Sequence, residues 1–316
     1  MKIVIIILLA VSIRLSYGQI NPSFEHYYLN NFIVNPAATG SNYYPVINIS
    51  AKKQWFQVDN SPGTQLFCAN LRLGRYDFYS PHMLLKRSRN RNREQIGLGI
   101  GLYNDRNGPQ NNSGILLSYA YHVPVEFNQL SFGISASLKQ FKLNGSELIP
   151  VQADDPEING ANESVIIPNA NIGMYFYGDL FFFGAAVNDL FRNKDFYNNE
   201  YDVSQDYFLH LGYKQRLNKN FSLESSVAYK KNGNIPYSFD ITAQLFVSGY
   251  NWLMVTYNTT NTLQCMLGVK VSRYLSIGYA YGSYFGILTA GYGNSHMLVV
   301  GRNLGLRNIS GLQKLR

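Results

Sequence analysis

Apolar and polar positions alternate over long stretches of this chain. Between Leu130 and Lys139 every second residue is apolar and the residues between them are small or polar, and 221–230, 237–245 and 274–282 follow the same alternation. A period of two is that of a β-strand with one apolar and one polar face. The sequence contains no helical pattern of comparable length, so the fold is predicted to be all-β.

The alternation predicts about fourteen strands, most of them roughly 9 to 13 residues long. They cover 46–56, 62–72, 95–104, 112–122, 129–141, 168–177, 179–189, 204–216, 220–230, 237–246, 250–258, 262–272, 274–283 and 294–302. Strands of soluble sandwiches centre on about 5 or 6 residues, whereas a tilted transmembrane strand needs about 9 to 11. The lengths therefore favour a single antiparallel transmembrane β-barrel over a soluble sandwich.

Two further patterns fit a barrel in a membrane. Aromatic residues stand near the ends of predicted strands, where an interfacial girdle would lie: Trp55, Tyr103, Tyr121, Tyr177, Tyr213, Tyr229, Tyr237 and Trp252. The predicted connections alternate between short and long, with the exception of Leu73 to Glu94. If the first strand rises from the periplasm, the short connections are periplasmic turns, the long ones are outer loops, and both termini are periplasmic.

The N-terminal residues predict export. Lys2 precedes an apolar run from Ile3 to Val11, and Ser16-Tyr17-Gly18 supplies the small residues of a secretory cleavage site. We therefore divide the chain into a signal peptide (1–18), an N-terminal periplasmic or plug segment (19–45) and the barrel (46–316). The predicted location is the outer membrane of a Gram-negative cell.

Composition narrows the classes of protein further. Charged residues make up 15% of the 316 residues and aromatic residues another 15%, with a mean hydropathy of −0.15. These values exclude a bundle of apolar membrane helices and a disordered chain. The formal net charge is +8, and loss of Lys2 and Arg14 with the signal peptide would lower it to +6.

The sequence predicts no enzyme, no cofactor and no metal site. The histidines are His26, His82, His122, His210 and His296, and none stands in a recognisable catalytic motif. Ser295 and His296 are neighbours on a predicted strand, so their side chains point to opposite faces. Gly97, Gly99 and Gly101 alternate along a strand and precede no helix, which favours small lumen-facing residues over a nucleotide-binding loop.

The two cysteines, Cys68 and Cys265, each lie in a predicted strand. A disulfide is chemically open to them in an oxidising compartment, but nothing in the sequence brings them together. We favour two unpaired side chains that act as small apolar residues.

Short motifs in a fixed order carry a family resemblance. They are Asn35–Gly40, Lys53–Trp55, Ser61–Gln65, Asn104–Gly108, Tyr119–Tyr121, Leu130–Gly133, Asp154–Pro156, Gly212–Tyr213, Gly278–Tyr281 and Ser295–His296. Together they resemble the PorP/SprF family of outer-membrane proteins from the type IX secretion and gliding system of the Bacteroidetes, over essentially the whole mature chain. The chain departs from the family pattern at Ala38-Thr39, at Lys53 in place of Arg, at Met297 in place of an acid, and in its longer Leu73–Glu94 link.

The resemblance implies a non-enzymatic role in secretion. The barrel would assist the secretion or surface retention of an adhesin-like substrate by binding the substrate's C-terminal domain. Its other expected partners are outer-membrane lipid and lipopolysaccharide, and periplasmic type IX components or a peptidoglycan-associated anchor; nucleic acid is not expected. The alternative from another class is a passive porin for small solutes.

Candidate partner-binding residues fall into three groups. Asn35 and Pro36 lie in Ile20–Tyr44, which we interpret as a plug or a periplasmic docking segment, with a plain linker as the alternative. Trp55 and Asp105 belong to two of the family motifs. The third group is a basic run formed by Lys86, Arg87, Arg89, Arg91 and Arg93.

The basic run would face the periplasm if the connection lengths are interpreted correctly. It is suited to docking an acidic periplasmic partner or an anionic glycan, and a solvated loop is the alternative.

Asn104 and Asp105 are predicted to form an outer turn closed by Gly108-Pro109, which turn chemistry explains without a function. The acids of the longest outer loop have the chemistry to hold Ca²⁺ or to bridge lipopolysaccharide, but lack EF-hand spacing, so solvated acids are favoured: Asp154, Asp155, Glu157 and Glu163.

Overall fold

Fourteen antiparallel strands form the wall of the molecule. The computed structural model describes residues 27–42, 45–55, 60–73, 95–145, 162–191, 204–233, 237–248, 251–272, 274–285 and 294–303. The strands are β1 (Val46–Lys53), β2 (Gly63–Leu73), β3 (Ile96–Asn107), β4 (Gln110–Val125), β5 (Asn128–Asn144), β6 (Asn162–Tyr177), β7 (Phe181–Asn188), β8 (Asp206–Arg216), β9 (Phe221–Asn232), β10 (Ser238–Val247), β11 (Asn251–Asn258), β12 (Thr262–Lys270), β13 (Leu275–Tyr284) and β14 (Ser295–Asn303).

The sheet closes on itself. Each strand pairs with its neighbours in the chain, and β14 pairs with β1 in a register that sets Val46 opposite Asn303 and Lys53 opposite His296. Closure leaves no edge strand, which is the requirement that hydrocarbon places on a spanning sheet; only the start of β6 extends past its neighbour β7 and pairs with β5 alone. The predicted antiparallel barrel of fourteen strands is confirmed.

The two faces of the wall have the polarity of a membrane barrel. On β4, Ser118 and His122 are buried in the interior, whereas Leu117 and Tyr119 are 55% and 40% exposed on the outside. On β10, Asp240 is buried in the interior and Ile241 is exposed on the outside. Apolar residues therefore cover the outer surface and polar residues face the lumen, the arrangement expected where lipid surrounds the barrel.

The two rims of the barrel differ in their connections. We call the rim at which β1 begins and β14 ends the terminal rim. Its connections after β4, β6, β8, β10 and β12 are the short turns 126–127, 178–180, 217–220, 248–250 and 271–274, and 74–95 is the longer exception. The opposite rim carries the longer connections 145–161, 189–205 and 285–294, and also 54–62, 233–237 and the short turns 108–109 and 259–261. The longest connections apart from 74–95 therefore lie at the opposite rim, but the predicted alternation is broken by the two short turns there; which rim faces the periplasm stays a prediction.

Some strand boundaries differ from those predicted. β3 continues to Asn107, so Asp105 lies within a strand and not in a turn, and only Gly108 and Pro109 connect β3 to β4. β1 ends at Lys53, and Trp55 follows it with a left-handed φ of 48°. β6 begins at Asn162, earlier than predicted, and so includes Pro168. Proline is tolerated there because it pairs with β5 alone, at a level where β7 has not yet joined the sheet.

The predicted aromatic girdle is correct only in part. Tyr121, Tyr213 and Tyr237 lie on the outer surface, as expected. Tyr177 is buried in the interior, and Trp252 lies at an inward position of β11, next to buried Met254. Tyr103 also packs inside, against a buried apolar cluster. The position of each residue in the alternation of its strand, not its nearness to a strand end, decides which way it points.

Two further features complete the fold. Within the described part of the chain, no helix is long and apolar enough to cross a membrane. Cys68 and Cys265 are unpaired, with Cys68 buried in the interior and Cys265 exposed, so the preferred interpretation of the cysteines is confirmed.

Candidate functional site

The lumen of the barrel is occupied by the chain that precedes β1. Residues 27–42, which we call the lumen segment, form two single-turn 3₁₀ helices, Asn31–Ile33 and Pro36–Ala38. All residues from Phe32 to Gly40 are buried. Polar groups of six different strands bond to this segment, so it lies within the barrel and not beside it.

Asn35 and Pro36 determine the local shape of the lumen segment. Proline disfavours helix at the preceding position, and Asn35 is extended, with φ −134° and ψ 101°. Its side-chain oxygen accepts a hydrogen bond of 3.0 Å from Ala37 N and so caps the second helix. Its side-chain nitrogen donates to the carbonyl oxygen of Met174 on β6, at 3.0 Å. One amide therefore fixes the turn and attaches it to the wall.

Further wall residues satisfy the backbone carbonyls of the segment. Asn188 on β7 donates to Val34 O at 3.0 Å, and Ser131 on β5 donates to Ala37 O at 2.6 Å. These groups are buried, and an unsatisfied buried carbonyl costs about 1–3 kcal/mol. The inward polar residues of β5 and β7 thus replace the water that a free lumen segment would bind.

A polar network holds the end of the segment at the terminal rim. The Nε2 atom of His122 lies 2.8 Å from Thr39 O, and Tyr177 OH lies 3.0 Å from His122 Nδ1. Arg72 donates to Tyr177 OH at 3.0 Å and to Gln129 Oε1 at 2.6 Å. The hydrogen bonds run from β2 through β4, β5 and β6 to the lumen segment, and the sequence predicted this role for none of these residues.

The other end of the segment reaches a buried ion pair near the opposite rim. Lys230 on β9 and Asp240 on β10 lie 2.7 Å apart, with side chains 5% and 0% exposed. Tyr28 OH donates to the same carboxylate at 2.7 Å, and Asn258 on β11 donates to its other oxygen. Burial, followed by the neighbouring Tyr27 and Asp240, raises the pKa of Tyr28 well above its ordinary value, so the phenol stays a donor.

Glycines in the wall admit the backbone of the segment. A Cβ atom at Gly97 would overlap Thr39 O, and one at Gly133 would overlap the backbone of Pro36 and Ala37. Gly97 and Gly133 face the lumen on β3 and β5, where any side chain would exclude the segment. The prediction that Gly97 is a small lumen-facing residue is confirmed.

Apolar contacts fill the remaining space. Phe32 and Ile33 pack in one buried cluster with Leu66, Cys68 and Leu116, together with other interior residues. A second cluster surrounds Tyr27 and Val34 and includes Ala186, Phe208 and Ala228. The segment is therefore held by burial of apolar surface as well as by hydrogen bonds.

The remaining candidate residues lie in different places. Asp105 points inwards and accepts a hydrogen bond of 2.6 Å from Thr64. Trp55 lies beyond the end of β1 at the opposite rim, where its backbone N–H donates to Asn294 O. The five cations of the basic run (Lys86, Arg87, Arg89, Arg91 and Arg93) are outside the described residues, as are Asp154, Asp155 and Glu157 and the side chain of Glu163. The partner-binding role of all these residues stays a prediction.

The described histidines do not form a common site. His122 and His210 are buried on β4 and β8, and His296 lies on β14 with its Nδ1 2.7 Å from Tyr279 OH. Ser295 is buried in the interior while the adjacent His296 faces outwards, as the alternation predicts. Among the described residues no group of three or more His, Cys, Asp or Glu side chains is arranged to hold a metal ion.

Comparison with known families accounts for this architecture. The family model described as type IX secretion system membrane protein PorP/SprF matches residues 16–301. The chain belongs to the PorP/SprF family. This membership, together with the closed barrel, places the protein in the outer membrane as a component of the type IX secretion system. No curated protein matches the chain.

Among solved structures, the chain is similar to outer-membrane proteins at very low identity. Omp33 of Acinetobacter baumannii is 6% identical and has a TM-score of 0.48, over 83% of this chain and 98% of that one. A mutant of the Rh. blastica porin is 6% identical with a TM-score of 0.36, over 82% and 98% of the two chains. The KdgM porin, solved with disordered oligogalacturonate, is 9% identical with a TM-score of 0.37, over 81% and 98%.

Proposed function

We propose that this PorP/SprF barrel is a binding component of the type IX machinery. It retains an exported, adhesin-like substrate at the cell surface through the substrate's C-terminal domain, and it contacts periplasmic type IX components or a peptidoglycan-associated anchor. The observation that carries the proposal is the filled lumen of a barrel from this family. A barrel occupied by its own chain offers two rims for binding and little room for passage.

The same filled lumen weighs against the alternative of a passive porin. An open fourteen-strand barrel is between the sizes that side chains fill and the sizes that leave an aqueous channel. Here Asn35, Ala37 and Thr39 bridge the interior walls of β4, β5 and β6. We therefore assign 19–45 to a plug, in preference to a periplasmic docking segment or a plain linker.

The connections support an orientation with the terminal rim in the periplasm. In outer-membrane barrels the periplasmic turns are short and the extracellular loops are longer. The opposite rim carries 145–161 and 189–205, which we assign to the surface that meets the substrate. In this arrangement β1 begins and β14 ends at the periplasmic rim.

The basic run belongs to the one long connection of the terminal rim. Leu73 and Ile96, which flank this connection, both lie at that rim. The run from Lys86 to Arg93 contains five cations in eight residues. We assign it to an acidic periplasmic partner, because a dense positive charge raises the rate of encounter with a negative surface.

Affinity purification of the tagged barrel from native outer membrane, with mass spectrometry of the proteins recovered, tests the proposal. We expect an exported protein with a type IX C-terminal domain and periplasmic type IX components. Reversing the five charges of the basic run should lower recovery of the periplasmic partners and leave recovery of the substrate unchanged. The matched control reverses Lys142 and Lys231, which are exposed near the opposite rim.

Two outcomes would contradict the proposal, the first as a whole and the second only in the role of the basic run. One is recovery of neither class of partner by the wild-type barrel, combined with rapid, size-limited entry of sugars into liposomes that contain it; this would favour the porin. The other is undiminished recovery of periplasmic partners after reversal of the basic run, which would remove the docking role of that run alone.

A further inference from the structure

Three basic residues and a glycine form a row across the outer surface of four adjacent strands at the opposite rim. In the strand register, His296 on β14 lies opposite Lys53 on β1, Lys53 lies opposite Gly63 on β2, and Gly63 lies opposite Arg106 on β3. Directly paired residues of neighbouring strands point to the same face. With strands about 4.8 Å apart, Lys53 and Arg106 lie about 10 Å from each other across the glycine.

This basic row faces outwards, on the side of the wall that is exposed to lipid. Lys53 and Arg106 are exposed. Thr64 and Ser295, the strand neighbours of Gly63 and His296, are buried in the interior. The alternation of each strand therefore places the row on the outer surface.

Small residues leave a recess between the two cations. Gly63 has no side chain, and a Cβ atom there would meet only Lys52 O, at 3.6 Å. The next outward row towards the terminal rim contains Ala51, Gln65 and Asn104, which pair with one another in that order. Together these residues line a recess of about 570 Å³.

The recess lies at the upper edge of the apolar surface. One row further towards the terminal rim, the outward residues are Val300, Ile49, Phe67 and Leu102, paired across the same four strands. Aliphatic and aromatic side chains at this level suit acyl chains, and cations directly above them lie at the level of lipid headgroups.

We propose that the basic row binds the phosphorylated glycolipid headgroup of lipopolysaccharide, its lipid A. Arg106 presents a planar guanidinium that matches a phosphate bidentately, and Lys53 supplies a second charge across the recess. Gln65 and Asn104 donate to the sugar hydroxyl and amide groups that a glycolipid carries and a simple phospholipid lacks. The proposal rests on the orientation given above, with the opposite rim in the outer leaflet, and does not depend on the secretion substrate.

Lipid binding to the refolded full mature barrel in detergent tests the proposal, with native mass spectrometry as the readout. The probes are lipid A, dephosphorylated lipid A and phosphatidylglycerol. We expect the wild type to bind lipid A in preference to both other lipids. The double variant Lys53→Gln/Arg106→Gln should lose about tenfold or more in affinity for lipid A, because two charge-assisted contacts are removed.

Two further variants separate the site from general electrostatic attraction. Arg302→Gln removes an exposed outward cation from the other end of β14, and it should bind lipid A as the wild type does. Gly63→Gln keeps both cations and fills the recess, so it should weaken binding. Heat-modifiable migration on gels verifies that each variant is folded.

Three results would overturn the proposal. The first is equal affinity of the double variant and the wild type for lipid A. The second is equal loss in Arg302→Gln, which would mean attraction to net charge only. The third is equal competition by phosphatidylglycerol. Partner recovery from native membranes is measured separately, so a failure here leaves the proposed secretion function untouched.

Discussion

Gly133 on β5 lies so close to the lumen segment that a Cβ atom at this position would overlap Ala37 N and the carbonyl carbon of Pro36. Two backbones meet at this point with no side chain between them. The lumen segment therefore depends on the absence of side chains in the wall as much as on the hydrogen bonds that the wall supplies.

Replacing Gly133 by Ala should displace the lumen segment. Cys68 reports this, because it is buried in the same apolar cluster as Phe32 and Ile33. In a Cys265→Ser background, a charged thiol reagent should modify Cys68 roughly tenfold to a hundredfold faster in Gly133→Ala than in the parent, given an overpacking cost of about 1–3 kcal/mol.

The matched control for this experiment is Gly101→Ala. Gly101 also faces the lumen, but a Cβ atom there would lie 3.8 Å from Leu116, an ordinary contact. Cys68 in this control should stay protected. Equal labelling rates in Gly133→Ala, Gly101→Ala and the parent would contradict the close approach.

Deleting Gln19 to Tyr44 should open the lumen. The deletion removes every contact that the segment makes with the interior of β4 to β7. In planar bilayers we expect discrete conductance steps from the deletion variant and little or no conductance from the intact barrel. Identical conductance of the two proteins would show that the segment does not block passage.

Asn35→Ala should loosen the segment while leaving the barrel folded. The change removes the cap on Ala37 N and the bond to Met174 O, both at 3.0 Å, and leaves buried groups unsatisfied. We expect a loss of about 1–3 kcal/mol in the free energy of closing the segment, measured by Cys68 labelling.

The charge variant Asn35→Asp keeps the acceptor for Ala37 N but cannot donate to Met174 O. Its rate of Cys68 labelling should therefore be higher than that of the parent. Asn104→Ala, on the outer surface, is the negative control. If Asn104→Ala exposed Cys68 as much as Asn35→Ala, the effect would not belong to the lumen segment.

Lys230→Met should destabilise the barrel strongly. Removing the ammonium leaves Asp240 charged, 0% exposed and without its cation. A buried pair broken on one side costs about 3–5 kcal/mol, so the urea midpoint of the barrel in detergent should fall. The double variant Lys230→Met/Asp240→Asn should recover part of this loss, because the uncompensated charge is gone.

Lys231→Met is the control for this variant, since Lys231 is adjacent in β9 but exposed. Its unfolding midpoint should stay close to that of the wild type. A midpoint for Lys230→Met equal to that of Lys231→Met would mean that the buried pair contributes nothing.

The alternation of apolar and polar residues was sufficient to predict the strands and their faces. From Leu130 to Lys139 it identifies Ser131, Gly133 and Lys139 as one face, and in the structure all three point inwards. The alternation is uninformative where two consecutive residues of a strand are both apolar. Phe176 and Tyr177, or Trp252 and Leu253, give no local sign of which residue points inwards, and the girdle assignment therefore failed for Tyr177 and Trp252.

By itself, the sequence determined the architecture: fourteen strands, their alternating faces, and a family resemblance that the comparison confirmed. Only the tertiary structure decided what fills the lumen. Asn188 and Val34 are 154 residues apart, and His122 and Thr39 are 83 apart. The period of two is a local property of the chain and determines which way each side chain points. Barrel closure and strand register are global properties, and they decide which other residues that side chain contacts.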